Sequence, residues 1–203
     1  MSARRALLSI VSLFLVAACG SSSPEEPDAP LATWQGTWQA AEPLFLDDAA
    51  DAAYQAIHDL RPEYSADEIE ALFVGTADVD YTSLRVGLDS LTFLDGGTVV
   101  CAGRYRNSGS PDGGLLAGPE SYYDFALVEQ TAGDCGSYET VSITGPLPED
   151  GEVHFHIVTG TSAGRLRPPP WNPSVWTPTT TGAWFAQRFQ AAAPAIAGSL
   201  PAR

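Results

Sequence analysis

The stretch DYTSLRVGLDSLTFLDGGTVVCAGRY, residues 80–105, decides the fold. Its β-branched, aromatic and aliphatic residues fall into short runs, roughly Tyr81–Gly87, Ser90–Leu94 and Thr98–Tyr105. Asp95-Gly96-Gly97 separates the last two, and such residues turn the chain because they tolerate the backbone angles a tight turn demands. The rhythm continues through Tyr122–Glu129, Tyr138–Thr144 and Glu152–Thr159, with breaks at Pro111-Asp112-Gly113-Gly114 and Pro148-Glu149-Asp150-Gly151. Short strands at regular spacing predict an antiparallel barrel or sandwich, so the fold class is mainly β. Upstream the period changes. Asp47–Leu60 places Ala50, Ala53, Tyr54, Ile57 and Leu60 on one helical stripe, which Pro62 stops. Ser65 and Glu68 then form a capping box that opens a short helix through Ile69, Leu72 and Phe73. Downstream, a proline-rich stretch over residues 168–173 leads to a segment from Thr180 to about Ala193, whose Trp184, Phe185 and Phe189 suit a C-terminal helix packed on the barrel.

The N-terminus reads differently. Arg4 and Arg5 precede an apolar run from Ala6 to Ala18, too short to span a bilayer comfortably and proportioned like a signal-peptide core. The run ends in Val16-Ala17-Ala18-Cys19-Gly20, which resembles the lipobox of bacterial lipoprotein signals. Residues 1–18 are thus expected to be removed and Cys19 to carry lipid; the alternative is an ordinary secretory signal with Cys19 a plain thiol. Residues 19–31 are rich in Ser, Pro and acid, a composition that buries no core and makes a flexible tether. Residues 32–203 remain as one domain, large enough for a real core. Gly20 after the cysteine resembles outer-membrane sorting, so the expected place is the cell envelope or periplasm, exported and membrane-anchored.

Charge narrows the partners. The chain has 25 acidic residues against 10 arginines and no lysine, and Arg4 and Arg5 leave with the signal. An acidic surface without basic patches argues against nucleic acid and is compatible with cations. With Cys19 lipidated, Cys101 and Cys135 are left as one pair, which in an oxidising compartment most simply forms a disulfide. The rival is a metal site using both thiols, but no second cysteine or histidine lies at ligand spacing from either.

Two of the three histidines stand in Glu152-Val153-His154-Phe155-His156. Residues two apart on a strand share a face, so His154 and His156 point one way with Glu152, while Val153, Phe155 and Ile157 point the other. Two imidazoles presented this way are half of a zinc site, which takes three or four N, S or O ligands. The alternative is a pair of histidines hydrogen-bonded on a barrel wall. Three ligands in line on one strand span about 13 Å, so Glu152 joins the histidines only through a bend. Glu139, Glu149 and Asp150 are further carboxylates nearby in sequence.

An ordered series of motifs resembles the ZinT (YodA) family of periplasmic zinc-binding proteins. It begins at Trp34-Gln-Gly36-Thr-Trp38-Gln with Pro43-Leu44, and passes through Ala66-Asp-Glu-Ile69, Thr76-Ala-Asp-Val79 and Leu91-Thr-Phe93. Cys101 and Cys135 fall where the family has its bridged pair, Val153-His-Phe-His156-Ile resembles its H-F-H-I strand, and Pro173 falls in a further family segment. The likeness covers about residues 34–190 in order. It implies a calycin, or lipocalin-like, barrel with N-terminal helices and a C-terminal helix. It also implies that His154 and His156 take the places of two of three zinc histidines. The third falls on Thr144, or on Gly145 if the gap shifts, and neither supplies an imidazole. The histidine-rich N-terminal arm of some members is missing, and His58 matches no family ligand.

Three functions follow as expectations. The first is a lipid-anchored zinc-binding protein that buffers or relays the ion, its partners being a divalent metal, the membrane and a metal-uptake transporter component. Its site is His154 and His156, with Glu152, another carboxylate or water completing a weak or exchangeable zinc site. The second is a metal-free calycin module whose barrel holds a small apolar ligand, or which serves a partner protein. The third, a metallohydrolase, has Glu152 as its one obvious base, and no H-E-x-x-H motif is present; the expectation is a non-enzyme. The anchor is testable directly. Cys19→Ala leaves no thiol to accept lipid, so fractionation and lipid labelling should find an unprocessed or soluble, unlabelled chain; a labelled, membrane-bound product would count against the lipobox.

Overall fold

The computed structural model describes residues 30–108, 122–160 and 173–203. The signal segment, Cys19 and nearly all of the tether lie outside these residues, as do the turn at residues 111–114 and the proline-rich stretch up to residue 172. Among the described residues nine strands form one antiparallel sheet: β1 (Gly36–Ala40), β2 (Ser83–Val86), β3 (Ser90–Asp95), β4 (Thr98–Asn107), β5 (Tyr122–Gly133), β6 (Thr140–Thr144), β7 (Leu147–Glu149), β8 (Glu152–Gly160) and β9 (Ser174–Trp176). Strands β1 to β6 pair in sequence, β9 pairs with β1 and β8, and pairing of β6 with β8 closes an eight-stranded barrel with β7 as an extra hairpin arm on β8. Closure leaves the barrel strands without a free edge.

Two hairpins show why the turns sit where they do. Asp95 pairs with Thr98 across Gly96-Gly97, and Glu149 pairs with Glu152 across Asp150-Gly151. All four central residues have positive φ, the requirement of a two-residue turn that follows the twist of the strands, and Asp-Gly and Gly-Gly meet it at little cost. The second turn is tighter than the sequence spacing implies. Pro148 and Glu149 belong to β7, and only Asp150-Gly151 bends.

Inside the barrel, Trp34, Trp38, Leu91, Phe93, Phe125, Phe155 and Ile157 belong to one buried cluster. Trp38 meets Phe155 edge-on at 4.7 Å and Trp34 meets Phe125 at 5.6 Å, the geometry aromatic quadrupoles favour. Leu31, at the end of the acidic tether, is itself fully buried in this cluster and donates its N–H to the Leu88 carbonyl. Side chains occupy the barrel axis, one of the two fillings open to an eight-stranded barrel, so among the described residues the interior is a core rather than a ligand chamber.

The helices make a second core: α1 (Glu42–Phe45), α2 (Asp51–Leu60), α3 (Ala66–Ala77), α4 (Gly182–Ala191) and α5 (Ala193–Ser199). Tyr54, Ile57, Ile69, Phe73, Phe185, Phe189 and Ile196 join here with Trp176, which comes from the barrel wall. The capping box of α3 is present, with Glu68 N–H donating to Ser65 Oγ and Ser65 N–H to Glu68 Oε2. Thr181 caps α4 by accepting the Trp184 N–H at 3.2 Å. No helix among the described residues is long and apolar enough to cross a membrane.

Cys101 and Cys135 form a disulfide with Cα atoms 4.9 Å apart, joining β4 to the turn that follows β5. The bridge closes a span of 34 residues, which in the chain-entropy picture contributes about 3–4 kcal/mol. Replacing both cysteines by alanine should lower the urea-unfolding free energy by about that much, and a loss below about 1 kcal/mol would mean that the loop is held closed by packing alone.

Candidate metal site

Strand β8 builds the site through its two-residue period. Phe155 and Ile157 point into the barrel and are fully buried, so His154 and His156 point outward, toward the helices. On the neighbouring strand β9, Trp176 stands opposite His154 and Ser174 opposite His156. The His154 ring stacks on Trp176 at 4.2 Å and meets His156 edge-on with centroids 5.4 Å apart. Both histidines line a cavity of about 360 Å³ between the barrel wall and the helices.

The carboxylates divide between two tasks. Glu149, on β7, also lines the cavity, with Oε2 3.8 Å from His154 Nδ1 and Oε1 3.5 Å from Arg188 Nε. Arg188 comes from α4 and is tied through Nη1 to Asp150 in the hairpin turn. Glu152 faces the same way as the histidines but is used elsewhere. Its Oε2 accepts hydrogen bonds from the hydroxyls of Thr177, Thr179 at 3.0 Å and Thr180 at 2.9 Å. Those hydroxyls, Thr177 first, hold the carboxyl below its ordinary pKa. The extended strand carries Glu152 away from the histidines and the threonines keep it there. Glu139 is exposed and outside the cavity lining, and His58 bonds the Tyr64 carbonyl from α2 at 2.6 Å.

Thr144 is fully buried beside His156, one residue past the Ile143–Ile157 pair, and its hydroxyl accepts the His156 backbone N–H at 2.9 Å. The structure thus places position 144 next to the histidine pair, with a hydroxyl where the resemblance expects an imidazole. Among the described residues, no three His, Cys, Asp or Glu side chains are grouped so as to hold a metal ion as they stand. The nearest approach to a third ligand is Glu149. Its position was hard to read from sequence because it occupies the far arm of a two-residue hairpin: the register sets it opposite Glu152, on the histidines' face, and its carboxylate reaches diagonally to 3.8 Å from His154 Nδ1.

Burial, together with the neighbouring His156, lowers the His154 pKa to about 4. The ring therefore stays neutral at neutral pH, the state in which imidazole ligates metals. Its Nδ1 is buried without a hydrogen-bond partner, since 3.8 Å to Glu149 is too long for one. A neutral imidazole with an unused nitrogen, a second imidazole beside it and a carboxylate within reach form a donor set that suits zinc.

Comparison with known proteins agrees with this architecture. The structure is similar to the Zn(II)-bound ZinT-like domain of AdcA from Streptococcus pneumoniae, with a TM-score of 0.59 and 21% identity over 79% of this chain and 89% of that domain. It is also similar to Zn(II)-bound AdcA from the same organism, with a TM-score of 0.61 and 21% identity over 79% of this chain but only 35% of that longer one. The chain has the ZinT-like fold. No family model matches the sequence, and no curated protein does.

The lowered His154 pKa has a consequence for stability. The unfolded chain takes up a proton near pH 6.5, whereas folded His154 resists until about pH 4. The stability this residue contributes is therefore complete above about pH 6.5 and declines as pH falls toward 4, on the order of 2–3 kcal/mol in all. Urea unfolding of the metal-free protein should show a shallower decline between pH 7 and 4.5 for His154→Gln than for the parent. Carboxylates titrate in both, so identical slopes would show that His154 is free to protonate in the fold.

Proposed function

We propose that this chain binds zinc, or a closely related divalent ion, as cargo, and buffers or relays it in the cell envelope while tethered to a membrane through lipid on Cys19. The observation that carries the reading is the pairing of His154 and His156 on one strand face, with ring centroids 5.4 Å apart and both lining one cavity. It is supported by the zinc bound in two structures of the same fold. His154, His156 and Glu149 would hold the ion. Glu149 needs only a side-chain rotation, because its carboxylate already lies 3.8 Å from the His154 ring. A metal-uptake transporter component is the natural recipient of such a cargo.

The donor set fits exchange better than storage. Structural zinc sites are closed by four protein ligands and contribute to folding outright. Here the barrel and helical cores are complete without an ion, and one ligand must leave Arg188 before it can bind. The lack of a ready third ligand favours, as a second reading, a metal-free module that binds a small apolar molecule; the cavity between wall and helices would then be its site.

Zinc titration calorimetry on the full chain in detergent separates the readings. The parent should bind one ion. Glu149→Gln should weaken binding by about tenfold or more, and His154→Ala with His156→Ala should abolish it at micromolar zinc. Thr144→His, placed beside His156, should tighten binding severalfold. Equal binding by the double-alanine variant, or none by the parent at millimolar zinc, would falsify the site and leave the metal-free module.

A further inference from the structure

Two side-chain polar atoms among the described residues are buried with no hydrogen-bond partner: Nδ1 of His154 and Nε of Arg188. Both residues line the same cavity. Folded proteins leave few such atoms, and each calls for an explanation. Apart from Thr76 and Ser174 the remaining wall is apolar, with Phe45, Phe73, Phe185, Phe189 and Ile196 beside Trp176. A volume of about 360 Å³ lies in the range of small-molecule sites, where apolar walls hold a ligand's body and a few polar groups fix its orientation.

The two orphaned atoms specify complementary partners. A buried imidazole nitrogen without a hydrogen bond suits a metal ion, whereas a guanidinium N–H calls for an anionic oxygen. Arg188 cannot readily turn away to find one in solvent, because its Nη1 is held by Asp150. If Glu149 rotates toward the ion, the Arg188 Nε loses its nearest carboxylate as well. A tetrahedral ion held by His154, His156 and Glu149 keeps one position open. Water in that position would leave the phenylalanine walls wetted, whereas an organic body removes their surface from water.

We propose that the cavity takes a small carboxylate with an apolar, ring-sized body, and that this molecule completes the coordination of the ion. Its carboxylate lies between the ion and Arg188 Nε, and its body lies among the phenylalanine rings. The cargo is then a ternary complex of protein, ion and organic anion. This rests on the zinc reading and adds the class of molecule that accompanies the ion.

The test is zinc calorimetry on the full chain with a fixed millimolar concentration of 3-phenylpropionate, against the same concentration of acetate. Both anions bind free zinc weakly, and only the first has a body to fill the cavity. 3-Phenylpropionate should tighten zinc binding by about tenfold or more, and acetate by less than about twofold. Without zinc, 3-phenylpropionate should give no measurable binding. Ala192 lines the cavity and is exposed, so Ala192→Phe should fill the space, abolish the gain and leave binding of zinc alone unchanged. If zinc binds equally well with and without 3-phenylpropionate, or gains as much from acetate, the ternary proposal is overturned and the zinc reading stands. If zinc binds under no condition, both fall. If 3-phenylpropionate binds equally tightly without zinc, the cavity is a metal-independent site and the ternary proposal is wrong.

Discussion

Strand β8 serves two layers at once, and the rest of the molecule depends on that. Its inward residues, Phe155 and Ile157, are fully buried in the barrel. Burying each contributes about 1.5–3 kcal/mol, so the register of this strand is strongly held. A slip of one residue would turn both histidines into the apolar core and expose the two hydrophobes, since every side chain changes face together. The positions of His154 and His156 are therefore fixed by the packing of residues that never touch the cavity. Strand β9 repeats the logic. Val175 faces the barrel while Trp176 and Ser174 face the helices, and the register sets each beside a residue of β8.

The roof of the site is fixed by polar contacts at one crossing. Gln39 donates from Nε2 to the carbonyls of Thr177 and Thr180, and Glu152 gathers the hydroxyls of Thr177, Thr179 and Thr180. These bonds pin the connection from β9 into α4, the helix that brings Phe185, Arg188 and Phe189 over the histidines. Glu152 thus acts on the site as a strut: it sets where Arg188 stands, and Arg188 in turn sits against Glu149. With three hydroxyls bonded to it, the carboxylate is held at this crossing.

Much of this was legible from sequence, because local chemistry carried it. The Ser65–Glu68 cap, the Gly96-Gly97 and Asp150-Gly151 turns and six strands follow from residues close to one another in the chain. The Cys101–Cys135 pair followed from there being no other candidates. Three strands did not announce themselves. β7 and β9 have three residues each and β1 has five, too few for a period to emerge, and they are strands because neighbours pair with them. α5 escaped for a related reason: Ala193-Pro-Ala-Ile-Ala-Gly-Ser carries few apolar anchors, and Ile196 and Ala197 are buried by the other helices rather than by a stripe of their own. In the site, the shared face of His154 and His156 followed from period two. Where Glu149 and Glu152 lie relative to the histidines did not, since that depends on a hairpin register and on threonines 25 to 28 residues downstream.

Trp176 is where the two cores meet. It belongs to the helical cluster yet stands on a barrel strand, and its ring stacks on His154. That stacking helps to keep solvent from the imidazole, and loss of solvent is the first cause of its lowered pKa. In a chain with 25 acidic residues and no lysine, an exposed histidine would instead be drawn toward its protonated form by the surrounding negative field. Burial under an aromatic wall opposes that pull and keeps a nitrogen lone pair available. The apolar packing that closes the fold is thus the same packing that keeps the His154 imidazole neutral.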